Sequence, residues 1–265
     1  MKKNILKITS ALVLGVFALT SCKTVSPRKL DGDWTITSGS GSMTDTYDGV
    51  TNSSTLSYNG SVMTSTQDGE VNSNDVTIAY TFDKKAGTYS QTTTSTYSNK
   101  SNVDYYSLTA ATLYTPAYYT STGSLFKKTV TVSTSIEKGT FTITGGTGDI
   151  EKNSQIVFLP TSSSEASTST FSYFNDQNVA VTDLANKYQP VYSNNNNGMT
   201  TYELLPTKST VSSSDVMKST TGDIMTVTSL KKGIMEVTSN ESNTHTEGAT
   251  TYSSTSNMKY TFTQK

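Results

Sequence analysis

From Trp34 to the C-terminus the chain alternates apolar and polar residues with a period of two, the spacing of a β-strand with one face toward a core. Val76, Ile78, Tyr80 and Phe82 share one phase, and Thr77, Ala79 and Thr81 the other. Leu56 and Tyr58 run into Asn59-Gly60, a strong hairpin signal, and Val62 begins the return strand. Lys84-Lys85-Ala86-Gly87 turns the chain into the Thr-rich strand Thr88 to Tyr97, which has little to bury. Val130, Val132 and Ile136 alternate with Thr129, Thr131 and Ser133, and Lys138-Gly139 reads as a turn into Thr140 to Thr144. Ile156-Val157-Phe158-Leu159 is apolar in both phases, the mark of a central strand. Ile224 to Leu230 and Ile234 to Val237 form a hairpin across Lys231-Lys232-Gly233, and Met258, Tyr260 and Phe262 alternate toward the end.

Two stretches leave this pattern. Val181, Leu184, Ala185 and Tyr188 fall at i, i+3, i+4 and i+7, which predicts one short helix stopped by Pro190. Asn102 to Phe126 carries Tyr105, Tyr106, Tyr114, Tyr118 and Tyr119 with weak periodicity, and reads as a Tyr-rich insertion into the strand series. Roughly ten to twelve strands at these turn spacings predict an all-β, antiparallel fold, a β-barrel or a barrel-like sandwich with long loops.

Composition agrees with this fold class. Sixteen Tyr, eight Phe and abundant Thr are strand formers. Charged residues are 15% of the chain and the net charge is −1, with the charges scattered, so no electrostatic footprint for nucleic acid is present.

The N-terminus adds an address. Lys2, Lys3 and Lys7 precede a run of about a dozen largely apolar residues from Ile8 to Leu19, a secretory leader too short to span a bilayer as a helix. Leu19-Thr20-Ser21-Cys22 then reads as a bacterial lipobox, with residues 1–21 removed and acyl chains, palmitate among them, placed on Cys22. That modification makes membrane lipid the first expected partner. Residues 22–29 become a polar tether, and 30–265 one β-barrel domain with its insertion at 102–126. Cys22 is the only cysteine, so no disulfide is available and stability rests on the core.

Chemistry is sparse. The single histidine, His245, sits in the polar stretch Asn-Thr-His-Thr-Glu and reads as a surface residue. With Cys22 assigned to lipid, neither Cys–His catalysis nor a Cys-containing zinc site can be assembled. Carboxylates stand singly, and Gly145-Gly146-Thr147-Gly148 lacks the Lys of a phosphate loop. No enzyme, cofactor or metal site is expected.

Four segments occur in order: Leu30-Asp31-Gly32-Asp33-Trp34, the stretch Tyr80-Thr81-Phe82-Asp83 through Gly87-Thr88-Tyr89, Lys138-Gly139-Thr140-Phe141-Thr142-Ile143, and Leu230-Lys231-Lys232-Gly233-Ile234-Met235. Together they resemble the lipocalin-like lipoproteins of Bacteroidetes. Phe141 stands where that family usually has Trp, and the only Arg, Arg28, precedes the domain. The resemblance implies a lipid-anchored outer-membrane protein of the cell envelope. Lys23-Thr24-Val25-Ser26 lacks the acidic surface-export signal, which implies a periplasm-facing position. It further implies a lipocalin-like barrel that binds a small apolar or amphipathic ligand against Trp34, Tyr80, Phe82, Phe141 and Phe158. The alternative is a filled core, in which case the protein is a non-enzymatic structural or interaction lipoprotein that meets an envelope partner. Tyr105, Tyr106, Tyr114, Tyr118 and Tyr119 would form the lid in the first case and the contact loop in the second.

Overall fold

A computed structural model of the chain describes residues 30–47, 49–145, 150, 152–192, 200–217, 223–231, 233–247 and 250–265. The leader, the lipobox residues Leu19, Thr20 and Ser21, and Cys22 lie outside them. The described residues form an all-β, antiparallel structure. In chain order the strands are β1 (Gly32–Tyr47), β2 (Val50–Tyr58), β3 (Val62–Gln67), β4 (Glu70–Asp83), β5 (Thr88–Thr109), β6 (Tyr118–Thr144) and β7 (Gln155–Phe174). There follow β8 (Tyr188–Tyr192), β9 (Thr200–Leu204), β10 (Lys208–Val216), β11 (Asp223–Lys231), β12 (Ile234–Glu247) and β13 (Thr250–Gln264).

Ten of these strands close on themselves in the order β6-β7-β11-β12-β13-β1-β2-β3-β4-β5 and back to β6. A second pairing modifies the closure at one level. Gly32 to Thr35 of β1 pair directly with Phe82 to Ala79 of β4, whereas Gly39 to Tyr47 pair with β2. The β2–β3 hairpin is therefore an insertion between β1 and β4, and the ring takes eight strands at Trp34 and ten beyond it. The turn that starts this hairpin's return uses Gly60 at φ 93°, while the Asn59 side chain accepts from the Ser61 and Val62 N–H groups. Only a residue without Cβ adopts that backbone without strain.

Two compact units emerge from the contacts. The first holds the described residues up to Ser95, then Thr134–Glu165 and Ser213–Lys265, and every strand of the ring contributes to it. Its core gathers the inward phase of each strand: Trp34 and Ile36, Val76 to Phe82, Ile156 and Phe158, Val227, Met235 and Val237, Tyr260 and Phe262. The indole N–H of Trp34 donates to the Leu30 carbonyl at 2.9 Å, so a fully buried Trp leaves no orphan donor. The second unit holds Thr96–Ser133 and Ala166–Ser212, with a small core of Leu125, Tyr173 and Leu205 flanked by Val103, Tyr105, Phe171, Val181 and Leu184.

Three expectations are corrected. No helix occurs among the described residues: the connection 175–187 is a series of turns. Asn178 and Asn186 take left-handed backbones at φ 61° and 56°, and the Asn175 and Asp183 side chains accept from the Val179 and Ala185 N–H groups. Local side-chain bonds thus replace helical ones. Val181 and Leu184 still bury against the second core, so the helix-like spacing was coincidental, and Pro190 lies inside β8 opposite Tyr202. The second correction concerns Lys138-Gly139, which is not a turn, because β6 runs straight through it. A Cβ on Gly139 would collide with the Leu159 carbonyl and the Pro160 Cα of β7 as well as with the Tyr89 ring at 2.8 Å, so the glycine serves the close approach of β7 and of that ring. Finally, residues 102–126 are not an irregular excursion but the end of β5, a short connection and the start of β6. Their faces have little to bury, which is why their period was weak.

Candidate functional site

The five aromatic residues proposed as ligand-lining meet in the core of the first unit. Trp34, Tyr80, Phe82, Phe141 and Phe158 are all buried. Tyr80 stacks on Phe82 with centroids 5.7 Å apart, Phe82 meets Phe141 edge-on at 5.3 Å, and Tyr89 meets Phe158 edge-on at 4.9 Å. Tyr80 also touches Phe158 and Phe262. These are the spacings of rings that satisfy one another. Two open concavities of about 350 and 260 Å³ are lined by other residues, chiefly exposed ones such as Thr81, Asp83, Lys138 and Thr161 in the larger.

The strand register shows how the inward face changes along the ring. One girdle carries Tyr58, Gly39, Tyr260, Val237 and Val227. Two residues further on it carries Leu56, Gly41, Met258 and Ser239, and the next holds Ser54, Met43, Ser256 and Glu241. The inward surface thus passes from apolar to polar. Gly39 and Gly41 are there because Tyr260 and Met258 lie across them, and a Cβ on Gly39 would sit 2.7 Å from the Tyr260 ring.

Three carboxylates share this interior. Glu137 stands in the same phase of β6 as Gly139 and Phe141, and accepts from the Tyr89 hydroxyl at 2.6 Å. Asp223 pairs with Phe158 across β11 and β7. Burial, and after it the charge of Glu137, pushes the Asp223 carboxyl up to about 6. Glu241 is pushed up to about 7 by burial and then by Asp223. Burial also holds the Tyr80 phenol well above its ordinary value, reinforced by the fields of Tyr260 and Glu137. The Tyr80 hydroxyl and the Ser239 Oγ are buried without a hydrogen-bond partner among the described residues. Such a cluster can hold protons and present acceptors. No group of three His, Cys, Asp or Glu side chains among the described residues is placed to hold a metal ion.

The sequence reading missed this layer because it counted carboxylates as scattered. The available signal was phase: Met235, Val237, Ser239 and Glu241 alternate on one side of one strand.

The five tyrosines of the 102–126 stretch divide in the second unit. Tyr119 stacks on Tyr202 at 4.2 Å and meets Tyr188 at 5.1 Å, and Tyr106 meets Tyr202 at 5.0 Å. Tyr105 packs against the small core. Tyr114 and Tyr118 stand out in solvent, at 89% and 53% exposure. Tyr188 and Tyr202 complete the ring cluster from β8 and β9.

With this geometry in hand, no protein-family model, no curated protein and no solved structure matches the chain.

Proposed function

We propose that the ten-stranded ring is a lipocalin-like β-barrel filled by its own side chains, held to the envelope membrane through acylated Cys22, and that the protein is a non-enzymatic interaction subunit. The supporting observation is the direct ring-to-ring packing of Tyr80, Phe82, Phe141 and Phe158, which gives the core to the chain itself rather than to a ligand. Small barrels are either filled by side chains or hold one small ligand, and ring-to-ring packing favours the first. Contacts then fall to the exposed surface.

A second reading is favoured by one observation, the unpartnered Tyr80 and Ser239 hydroxyls beside Glu137, Asp223 and Glu241. Buried hydroxyls normally find partners. In this reading an amphipathic ligand lays its apolar part toward the aromatic cluster and a hydrogen-bonding head among the carboxylates.

Native mass spectrometry of the protein extracted gently from its own membrane decides between them. The filled barrel gives one mass, that of the polypeptide from residue 22 plus its acyl chains. Additional mass that leaves on denaturation would overturn the filled barrel in favour of the ligand reading.

A further inference from the structure

We infer that the apex of the β5–β6 hairpin inserts into the interfacial layer of a lipid bilayer. The apex residues Ala111, Leu113, Tyr114, Pro116, Ala117 and Tyr118 are all exposed, with Leu113 and Tyr114 at 88% and 89%. Leu113 and Tyr114 are the two most exposed large apolar side chains among the described residues, and they stand side by side at one turn.

The turns at Asp68-Gly69, Asp83 to Gly87 and Lys231 to Gly233 carry charged side chains, while the turn at Asn59-Gly60 is short, polar and without charge. From Tyr105 to Phe126 there is none: Asp104 and Lys127 bracket a wholly uncharged stretch.

Hydrogen bonding points the same way. The Thr112 N–H donates to the Thr115 carbonyl at 2.9 Å, and the Tyr114 and Thr115 N–H groups both donate to Thr112 Oγ1. Thr112 and Thr115 share a hydroxyl bond at 2.6 Å, and Pro116 has no N–H to satisfy. Three N–H groups of the apex, those of Thr112, Tyr114 and Thr115, are thus bonded within the turn. A protein partner would be served by free donors and a charged or polar rim.

The tyrosines supply the third element. Tyr114 and Tyr118 carry an apolar ring and a polar tip, the combination that settles at headgroup depth. Behind them Tyr119 stacks on Tyr202 and meets Tyr188 edge-on, which ties the strand that carries the turn to β8 and β9. Insertion of this shallow kind is driven by buried apolar area, and adds to a covalent acyl anchor.

The inference rests on the envelope reading for its membrane but not on the acylation. The test uses full-length, processed protein carrying Leu113→Cys or Tyr114→Cys, with Val71→Cys as an exposed control in the first unit. Each is labelled with an environment-sensitive fluorophore and reconstituted into phosphatidylethanolamine and phosphatidylglycerol vesicles. Labels at 113 and 114 are expected to shift to the blue, to lose most of their quenching by aqueous iodide and to be quenched by doxyl lipid, while the label at 71 keeps its iodide quenching. Adding Leu113→Glu to the Tyr114 probe, at a site too exposed to affect folding, should restore iodide access. Iodide quenching in vesicles equal to that in solution overturns the inference. Protection seen only in native envelope membranes, and absent from protein-free lipid, also overturns it and identifies a protein partner instead. Wild-type chain run in parallel should take no label. Labelling there would refute acylation of Cys22, and the depth measurement would then be repeated on a Cys22→Ser background.

Discussion

The two compact units use apolar residues in opposite ways. Among the described residues the first buries twenty-one side chains in one continuous cluster, and the second buries three. Both draw on the same three long strands, β5, β6 and β7, so strand length and propensity do not account for the difference. Closure does. In a ring every inward side chain meets others from across the interior, and one phase of each strand is enough to build a core. The second unit contains β9 and the start of β10, which end the strand order, and β10 is exposed at every position. Its Ser and Thr side chains and Lys208 keep that edge from recruiting another chain. The lesson is that a β-protein concentrates stability where its sheet closes, and leaves the open part free to carry contacts.

The largest expected effect lies in the closed unit. Trp34→Ala removes a 1%-exposed indole and the bond to Leu30, and should cost about 3–5 kcal/mol in urea unfolding followed by circular dichroism. A cost below about 1 kcal/mol would mean that the ring does not depend on its filled interior. Next is Leu125→Ala in the second unit, expected at the low end of about 2–5 kcal/mol because few neighbours are there to lose. Hydrogen exchange should show amides of 96–133 and 166–212 opening faster, with Ile78, Val237 and Tyr260 still protected. Equal acceleration in both regions would erase the distinction between them.

The smallest effect is electrostatic and confined to the ring. Asp223 and Glu241 titrate at about 6 and 7 in the folded chain, against about 4 when unfolded. The folded state holds these protons more tightly, so their stabilising contribution is complete below the unfolded values and is lost as pH rises through 6 to 7. The urea midpoint should therefore increase modestly from pH 8 to pH 5, solvent screening keeping the change small, and Glu241→Gln should flatten that slope. A midpoint that stays unchanged over the same range would place these carboxylates in water.

Much of the architecture was legible because it follows from single-strand phase. Val76 to Phe82, Met258 to Phe262 and the turn at Asn59-Gly60 stand where their alternation and turn chemistry put them. The candidate site was less legible, for reasons that differ by residue. Glu137, Asp223 and Glu241 lie far apart in sequence and converge only through strand register, which no local pattern reports. Tyr105 to Phe126 looked irregular because only a few of its side chains, Tyr105 and Leu125 among them, reach the small second core, which leaves too short a run to set a period. Val181 to Tyr188 matched a helical template by residue type, while the asparagines at 178 and 186, whose backbones turn left-handed, were the competing signal that prevailed.

The direct pairing of Gly32 to Thr35 with Ala79 to Phe82 has a further consequence. Because β1 already reaches β4 there, the segment from Val50 to Gln67 is a cassette whose two ends return to strands that are neighbours without it. Lineages descended from a common ancestor could gain or lose it in one insertion or deletion, changing the girth of the ring while leaving every other register intact. The same property makes the hairpin a natural place to graft a foreign β-hairpin.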